Sequence, residues 1–170
     1  MVNFFRTGID LGGTKIECIV LAPNGKQVYR ERVPAPQGSY ANTIYAISEL
    51  ISKADKHVQE KTKVGIGIPG ALSEETGLVK NANSTWLIGA PLKSDLEYSL
   101  NRPIRIENDA NCFTVSEAVD GAGVNAQIVF GVILGTGVGG GITINSKPLK
   151  GINSIAGEWG HNPLPWANEE

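Results

Sequence analysis

The chain has little of what small proteins use for covalent stabilisation or for gripping polyanions. Only two cysteines occur in 170 residues, Cys18 and Cys112. They lie far apart in a sequence with no secretion signal, so free thiols packed as small apolar side chains are expected, not a disulfide or a metal pair. No apolar run approaches the roughly 20 residues that cross a bilayer, and the N-terminus lacks the basic segment, apolar core and small-residue cleavage site of a signal peptide. No membrane partner is expected, and the expected location is cytoplasmic. An excess of charge is missing too. Fifteen basic and 17 acidic residues leave a net charge of −2, which gives no long-range attraction toward nucleic acid, so none is expected as a partner. Low-complexity segments and charged tails are absent.

Glycine is what the chain has in excess: 21 of 170 residues, against a usual share of about 7%. The length suits one large domain or two small ones, and a fold near this size buries about two-thirds of its unfolded surface without help from a metal or disulfide. The opening third reads as a β-meander, with strands Phe4 to Leu11, Ile16 to Leu21 and Gln27 to Val33 around a Pro23-Asn24-Gly25-Lys26 turn. From Ser39, a plausible N-cap, the period changes. Ile44, Ile47, Ile51, Ala54 and Val58 form one apolar stripe along a helix. Lys63 to Pro69 is strand-like. Gly70 to Pro91 is too irregular for a regular element, and loops of that length tend to be functional. Leu92, Leu96 and Leu100 mark a short helix, Ile104 to Glu107 a buried strand and Asp109 to Val119 another helix.

After a joint at Gly121-Ala122-Gly123 the pattern restarts, with strand Ile128 to Leu134, a glycine turn Gly135 to Gly141 and strand Ile142 to Asn145. The expected organisation is therefore an N-terminal α/β domain over 1–120, in the order β-β-β-α-β-α-β-α, and the start of a duplicated α/β domain over 121–170.

Two glycine turns stand out. In Asp10-Leu11-Gly12-Gly13-Thr14-Lys15, paired glycines would let backbone amides approach a phosphate, Thr14 adds a donor, Lys15 a cation, and Asp10 could hold Mg²⁺ through water. The spacing is not that of a Walker A loop, and a plain hairpin turn accounts for the segment equally well. Gly135-Thr136-Gly137-Val138-Gly139-Gly140-Gly141 contains a literal Gly-x-Gly-x-x-Gly. A dinucleotide fingerprint needs a helix next, but Gly140-Gly141-Ile142-Thr143-Ile144 should be strand. A protein-kinase glycine loop would need partner motifs that are missing. What survives is one glycine-rich hairpin turn in each half, a pair able to grip a polyphosphate from two sides.

With Gly67-Ile68-Pro69-Gly70, Glu107-Asn108-Asp109-Ala110-Asn111 and Gly157-Glu158-Trp159-Gly160-His161, these turns make five motifs in order, and over nearly the whole chain they resemble the ROK group of repressors, uncharacterised frames and sugar kinases. The resemblance implies an actin-like, ribonuclease H-like ATPase fold. Asn81 to Trp86 and Glu158 to Trp166 look most like bacterial fructokinases that also accept mannose, with N-acetylglucosamine kinases close behind.

The implied activity is phosphoryl transfer from MgATP to a hexose hydroxyl, with 6-phosphorylation expected. Asp109 is the implied base, placed after a strand and at a helix start where the positive helix end favours its ionised form; an ordinary N-cap is the competing reading. By the same resemblance Gly8, Asp10, Gly12, Gly13, Thr14, Lys15, Gly135, Thr136, Gly137, Gly139, Gly140 and Gly141 hold ATP. Asn83, Asn108, Glu158 and His161 hydrogen-bond the sugar. For Asn83 a loop-turn role and for Glu158 an exposed surface acid are the plainer readings. Trp86, Trp159 and Trp166 are expected to pack, and His57 to be solvated.

In the family the histidine matching His161 joins three cysteines of a Cys-x-Cys cluster to bind Zn²⁺. No such cluster follows here, so His161 would be a partial zinc site, with zinc expected only in a longer protein. The expectation is accordingly an N-terminal portion of a kinase, weakly active or inactive by itself; a homodimer is left open. The family's repressors carry a DNA-binding segment ahead of this fold, for which a first strand beginning at about Phe4 leaves no room.

Overall fold

The computed structural model describes residues 3–135, 137–152, 156–160 and 163. Two compact units divide the chain, Met1–Asp109 and Ala110–Glu170.

In the first unit, alternating apolar and polar residues build β1 (Arg6–Leu11), β2 (Lys15–Leu21) and β3 (Gln27–Pro34). The antiparallel register sets Leu11 opposite Ile16, Ile9 opposite Cys18 and Thr7 opposite Val20. All six are buried on one face, the pairing that a half-buried antiparallel ribbon requires. Helix α1 (Tyr40–Val58) covers that face, and the Ser39 side chain caps it by accepting from the Asn42 backbone N–H. Ile47, Leu50, Ile51 and Ala54 form its buried face, while Ile44 and Val58, at the margins of the expected stripe, pack only partly.

Next come β4 (Lys63–Ile68), the two-residue strands β5 (Ala71–Leu72) and β6 (Val79–Lys80), a 3-10 helix over Thr85–Leu87, α2 (Leu92–Leu100) and β7 (Ile104–Asn108). The main sheet has the order β3-β2-β1-β4-β7, with β1, β4 and β7 mutually parallel. Those three strands end at one edge of the sheet. The stretch after Gly70 is more ordered than its composition predicts, because β5 and β6 pair in register, Ala71 with Lys80 and Leu72 with Val79.

In the second unit, α3 (Asp109–Asp120, only its first residue belonging to the first unit) precedes a sheet of order β10-β9-β8, formed by β8 (Ile128–Leu134), β9 (Val138–Ile144) and β10 (Lys147–Pro148). The division at Asp109 falls earlier than the expected joint at Gly121, since α3 packs with the strands that follow it. Gly131 and Gly141, paired across β8 and β9, explain this. A Cβ on Gly141 would lie 2.8 Å from Thr114 Oγ1 and 2.9 Å from the Ala110 carbonyl oxygen. These glycines let α3 lie directly on the strands.

The second glycine segment is therefore mostly strand: β9 begins at Val138, four residues before the expected Ile142, and the turn shrinks to the residues around Gly135 and Gly137. Both units nevertheless carry an antiparallel hairpin with glycines at or near its turn, β1–β2 in one and β8–β9 in the other. One face of β8 stays exposed at Ile128, Phe130, Val132 and Leu134.

Candidate active site

The common edge where β1, β4 and β7 end gathers the first unit's chemistry. In open α/β sheets, ligands bind beyond the carboxyl ends of the strands because the chain leaves each strand there in a different direction. Beyond β1 lies the turn Gly12-Gly13-Thr14, closed by a Gly12 N–H to Lys15 carbonyl hydrogen bond of 3.0 Å. Gly13, Thr14 and Lys15 are exposed. A Cβ on Gly12 would sit 3.0 Å from the Lys15 carbonyl oxygen, so a side chain there would crowd the turn. Gln37 Nε2 donates to the Gly13 carbonyl at 3.2 Å, and the Ala35 N–H to that of Thr14; two carbonyls are thus held from behind. Gly8 lies in the body of β1, opposite Ile19 and Gly65, and so serves the sheet, away from the turn where the resemblance grouped it.

Asp10, also exposed, has its carboxyl pushed above the ordinary value, first by the desolvating sheet beneath it and then by the Glu17 carboxylate, against the opposing charges of Lys15 and Arg32. A carboxylate under that strain gains by meeting a cation. Glu17 behaves oppositely. Desolvation raises its carboxyl, but hydrogen bonds from Arg32 and Arg30, with their charges, outweigh it and the net shift is downward.

Beyond β4 lies Gly70 at φ +90, and its carbonyl accepts from Asn108 Nδ2 at 3.0 Å. Asn108, the last residue of β7, is buried and ties the ends of β7 and β4 together. Asp109 follows, half-buried, as the first residue of α3. Asn83 stands exposed on the loop leading to the 3-10 helix. Its neighbour Ser84 is buried at 1% exposure, and its hydroxyl makes no hydrogen bond, a condition that costs about 1–3 kcal/mol in a protein interior.

The turn, Gly70, Asn83, Ser84, Asn108 and Asp109 all belong to the first unit. Sequence reasoning gave Gly70 no individual role and passed over Ser84. A serine just before a short helix reads as a cap, and only its unmade cap bond marks it as something else.

The second unit brings other expected residues together. The Gly135 N–H donates to the Gly137 carbonyl at 2.9 Å, and both glycines are exposed. Gly139 borders Glu158, whose Oε2 would lie 3.8 Å from a Cβ at that glycine. Glu158 is half-buried, not the exposed acid of the plainer reading. Gly140 and Gly141 are buried in β9. A Cβ on Gly140 would meet the Gly157 carbonyl oxygen at 2.6 Å, so these two admit neighbouring backbone. Thr136, His161 and Trp166 lie outside the described residues.

Among the described residues no cluster of three or more His, Cys, Asp or Glu could hold a metal, and His161, the expected zinc ligand, lies outside them. Of the thiols, Cys18 is buried and pushed up to about 12, first by burial and then by the Glu31 and Asp55 charges, which makes it inert; Cys112 is exposed, contrary to the packed thiol expected. Trp86 packs against the core and donates to Thr43 Oγ1 at 3.2 Å, Trp159 is 40% exposed, and His57 is exposed beside Tyr29 as expected for a solvated ring. No helix among the described residues is long and apolar enough to cross a membrane.

A mixed sheet whose three parallel strands carry a glycine turn, Gly70 and an Asn-Asp pair at their carboxyl edge defines a fold of the actin-like ATPase class. The ROK family profile matches residues 6–170, and the chain belongs to the ROK family. It is 44% identical over 158 residues to N-acetyl-D-glucosamine kinase of Pectobacterium atrosepticum, covering 93% of this chain and 52% of that protein. Among solved structures, the ROK hexokinase of Thermus thermophilus aligns with TM-score 0.82 at 29% identity, over 95% of this chain and 54% of that one. A ROK glucokinase from Streptomyces griseus in complex with glucose and AMPPNP aligns with TM-score 0.80 at 30% identity, over 95% of this chain and 51% of that one. The chain thus spans about half the length of the curated relatives it matches.

Proposed function

We propose that this chain carries the catalytic base and one phosphate turn of an ATP-dependent hexose kinase, and that N-acetylglucosamine is a better candidate for its sugar than fructose. The observation that carries the reading is the convergence of the Gly12–Lys15 turn and the Asn108–Asp109 pair on the carboxyl edge of three parallel strands. The sequence favoured fructokinases, with N-acetylglucosamine kinases second. Named relatives at 44–45% identity are N-acetyl-D-glucosamine kinases, which reverses that order.

In the proposed reaction the Asp109 carboxylate takes the proton of the hexose hydroxyl. The oxygen bonds to the γ-phosphorus as the bond to the β–γ bridging oxygen breaks, and ADP leaves with that electron pair. Phosphoryl transfer needs mainly alignment and charge neutralisation. Alignment comes from Asn83 and Asn108 on the sugar side and from the Gly12 and Gly13 backbone on the phosphate side. Thr14 adds a donor and Lys15 a cation. Mg²⁺ on the nucleotide would screen its phosphates, and Asp10 fits as the residue holding it through water, since burial and the Glu17 carboxylate outweigh the Lys15 and Arg32 charges around its carboxyl. Glu158 and the Gly135–Gly139 segment are assigned to sugar and nucleotide by the same reading, as are Thr136 and His161.

Calorimetric titration of the chain with AMPPNP, and separately with N-acetylglucosamine, glucose, mannose and fructose, tests this. Nucleotide binding with N-acetylglucosamine as the tightest sugar is expected. A chain that binds neither nucleotide nor any hexose is no kinase half, and preference for fructose would restore the order read from sequence.

A further inference from the structure

We propose that Ser84 is a positioning residue that locks the sugar loop onto the phosphate turn once nucleotide and hexose are bound. The inference rests on the kinase reading above and assigns a role that reading leaves empty.

Ser84 is 1% exposed, and its Oγ has no hydrogen-bond partner. It occupies the N-cap position of the 3-10 helix Thr85–Leu87, yet its side chain makes no cap bond. The hydroxyl is aimed elsewhere: a Cβ built on Gly13 would lie 3.9 Å from Ser84 Oγ. The serine thus faces the phosphate turn across a gap that a glycine leaves open. The Gly13 carbonyl already accepts from Gln37, and in this proposal the hydroxyl meets the N–H side of the turn. A serine hydroxyl can accept from an amide and donate to a phosphoryl oxygen in the same geometry. Asn83, next in the chain, is exposed on the sugar loop. Ser84 therefore stands between the residue expected to hold the acceptor sugar and the turn expected to hold the donor phosphate. Alanine would remove an unsatisfied buried group and should stabilise the free protein, so the hydroxyl earns its place only in a liganded state.

The test compares the chain with its Ser84→Ala variant in three measurements: thermal midpoint without ligand, AMPPNP affinity alone, and AMPPNP affinity with saturating N-acetylglucosamine. Expected are an equal or higher midpoint for the variant and unchanged affinity for nucleotide alone. The tightening of nucleotide by sugar, on the order of five- to twentyfold in the parent chain, should fall to about onefold. Ser84→Thr, which keeps a hydroxyl, should retain part of the linkage. A midpoint several degrees lower in Ser84→Ala would show that the hydroxyl is bonded in the free protein and overturn the proposal. Undiminished linkage in that variant would overturn it while leaving the kinase reading standing. Failure of the parent chain itself to bind AMPPNP or hexose would sink both.

Discussion

Replacing Gly70 by alanine puts a Cβ 2.5 Å from the Lys80 carbonyl oxygen and 2.8 Å from both the Ala82 nitrogen and the Asn81 carbonyl carbon. All three are backbone atoms, so no rotamer change relieves the clash. The residue also sits at φ +90, where an L side chain costs about 1–2 kcal/mol before any contact is counted. Relief requires the 80–82 backbone to retreat. That strains the Ala71–Lys80 pairing and the Asn108 to Gly70 hydrogen bond, worth about 1 kcal/mol each. The sum, about 3–4 kcal/mol, is a large part of the 5–15 kcal/mol typical of a domain. Urea unfolding should show a lower midpoint with unchanged slope. Gly65→Ala is the matched control: that glycine sits in β4, the strand that leads to Gly70, with nothing within 4 Å of an added Cβ and no positive φ, so it should be neutral or slightly stabilising. A Gly70→Ala loss below about 1 kcal/mol, or one equal to the control, would refute the steric reasoning.

Asp109→Asn keeps shape and removes the base, so turnover should fall by about a hundredfold or more while hexose affinity stays within a few-fold; matched losses in both would leave Asp109 a binding role only. Arg102, 10% exposed, pairs with Asp55 and donates to the Thr62 carbonyl, so Arg102→Met should cost about 3 kcal/mol by stranding the Asp55 charge, and a change too small to measure would mean water takes over that carboxylate. Glu17 has a lowered folded-state value, so its contribution is present above the ordinary Glu value of about 4.3 and is lost as pH falls through the folded one. Glu31, lowered first by its hydrogen bond from Lys53 and next by that from Tyr29, adds in the same direction, whereas Asp10, being raised, opposes them. Glu17→Gln should flatten the acid limb of stability against pH, and an identical acid limb in that variant would count against the pairing.

The elements legible in the sequence are those whose burial repeats with a period. Ile47, Ile51 and Ala54 recur at helical spacing and form the buried face of α1, and Ser39 caps it as its residue type predicts. Ile9 with Cys18 and Leu11 with Ile16 follow from two-residue alternation on either side of a glycine turn. Strands β5 and β6 have two residues each, too short for any period to show. Gly140 and Gly141, grouped with the turn as a glycine run yet expected to lead into strand, are strand, and the closeness of α3 and Gly157 accounts for glycine there. The compact units divide at Asp109 and not at the expected joint at Gly121, because glycine marks a bend in the chain, whereas the allegiance of α3 is decided by what Thr114 and Ala110 touch. In the site, Asp109 and the first glycine turn were visible as motifs. Ser84 was not, since its distinguishing property is a missing bond.

The two sheets differ in how their outermost strands meet water. β3 presents Arg30 and Arg32, both salt-bridged to Glu17, and charges of this kind discourage another strand from adding to an edge. β8 is also an outermost strand, reads Ile-Val-Phe-Gly-Val-Ile-Leu without one charge, and leaves Leu134 73% exposed. A seven-residue, uncharged, β-branched stretch on an edge is the composition from which cross-β stacking grows. A lysine at position 128 or 134 would give β8 the gatekeeper that β3 already has, and light scattering at high concentration should then show less association of this chain.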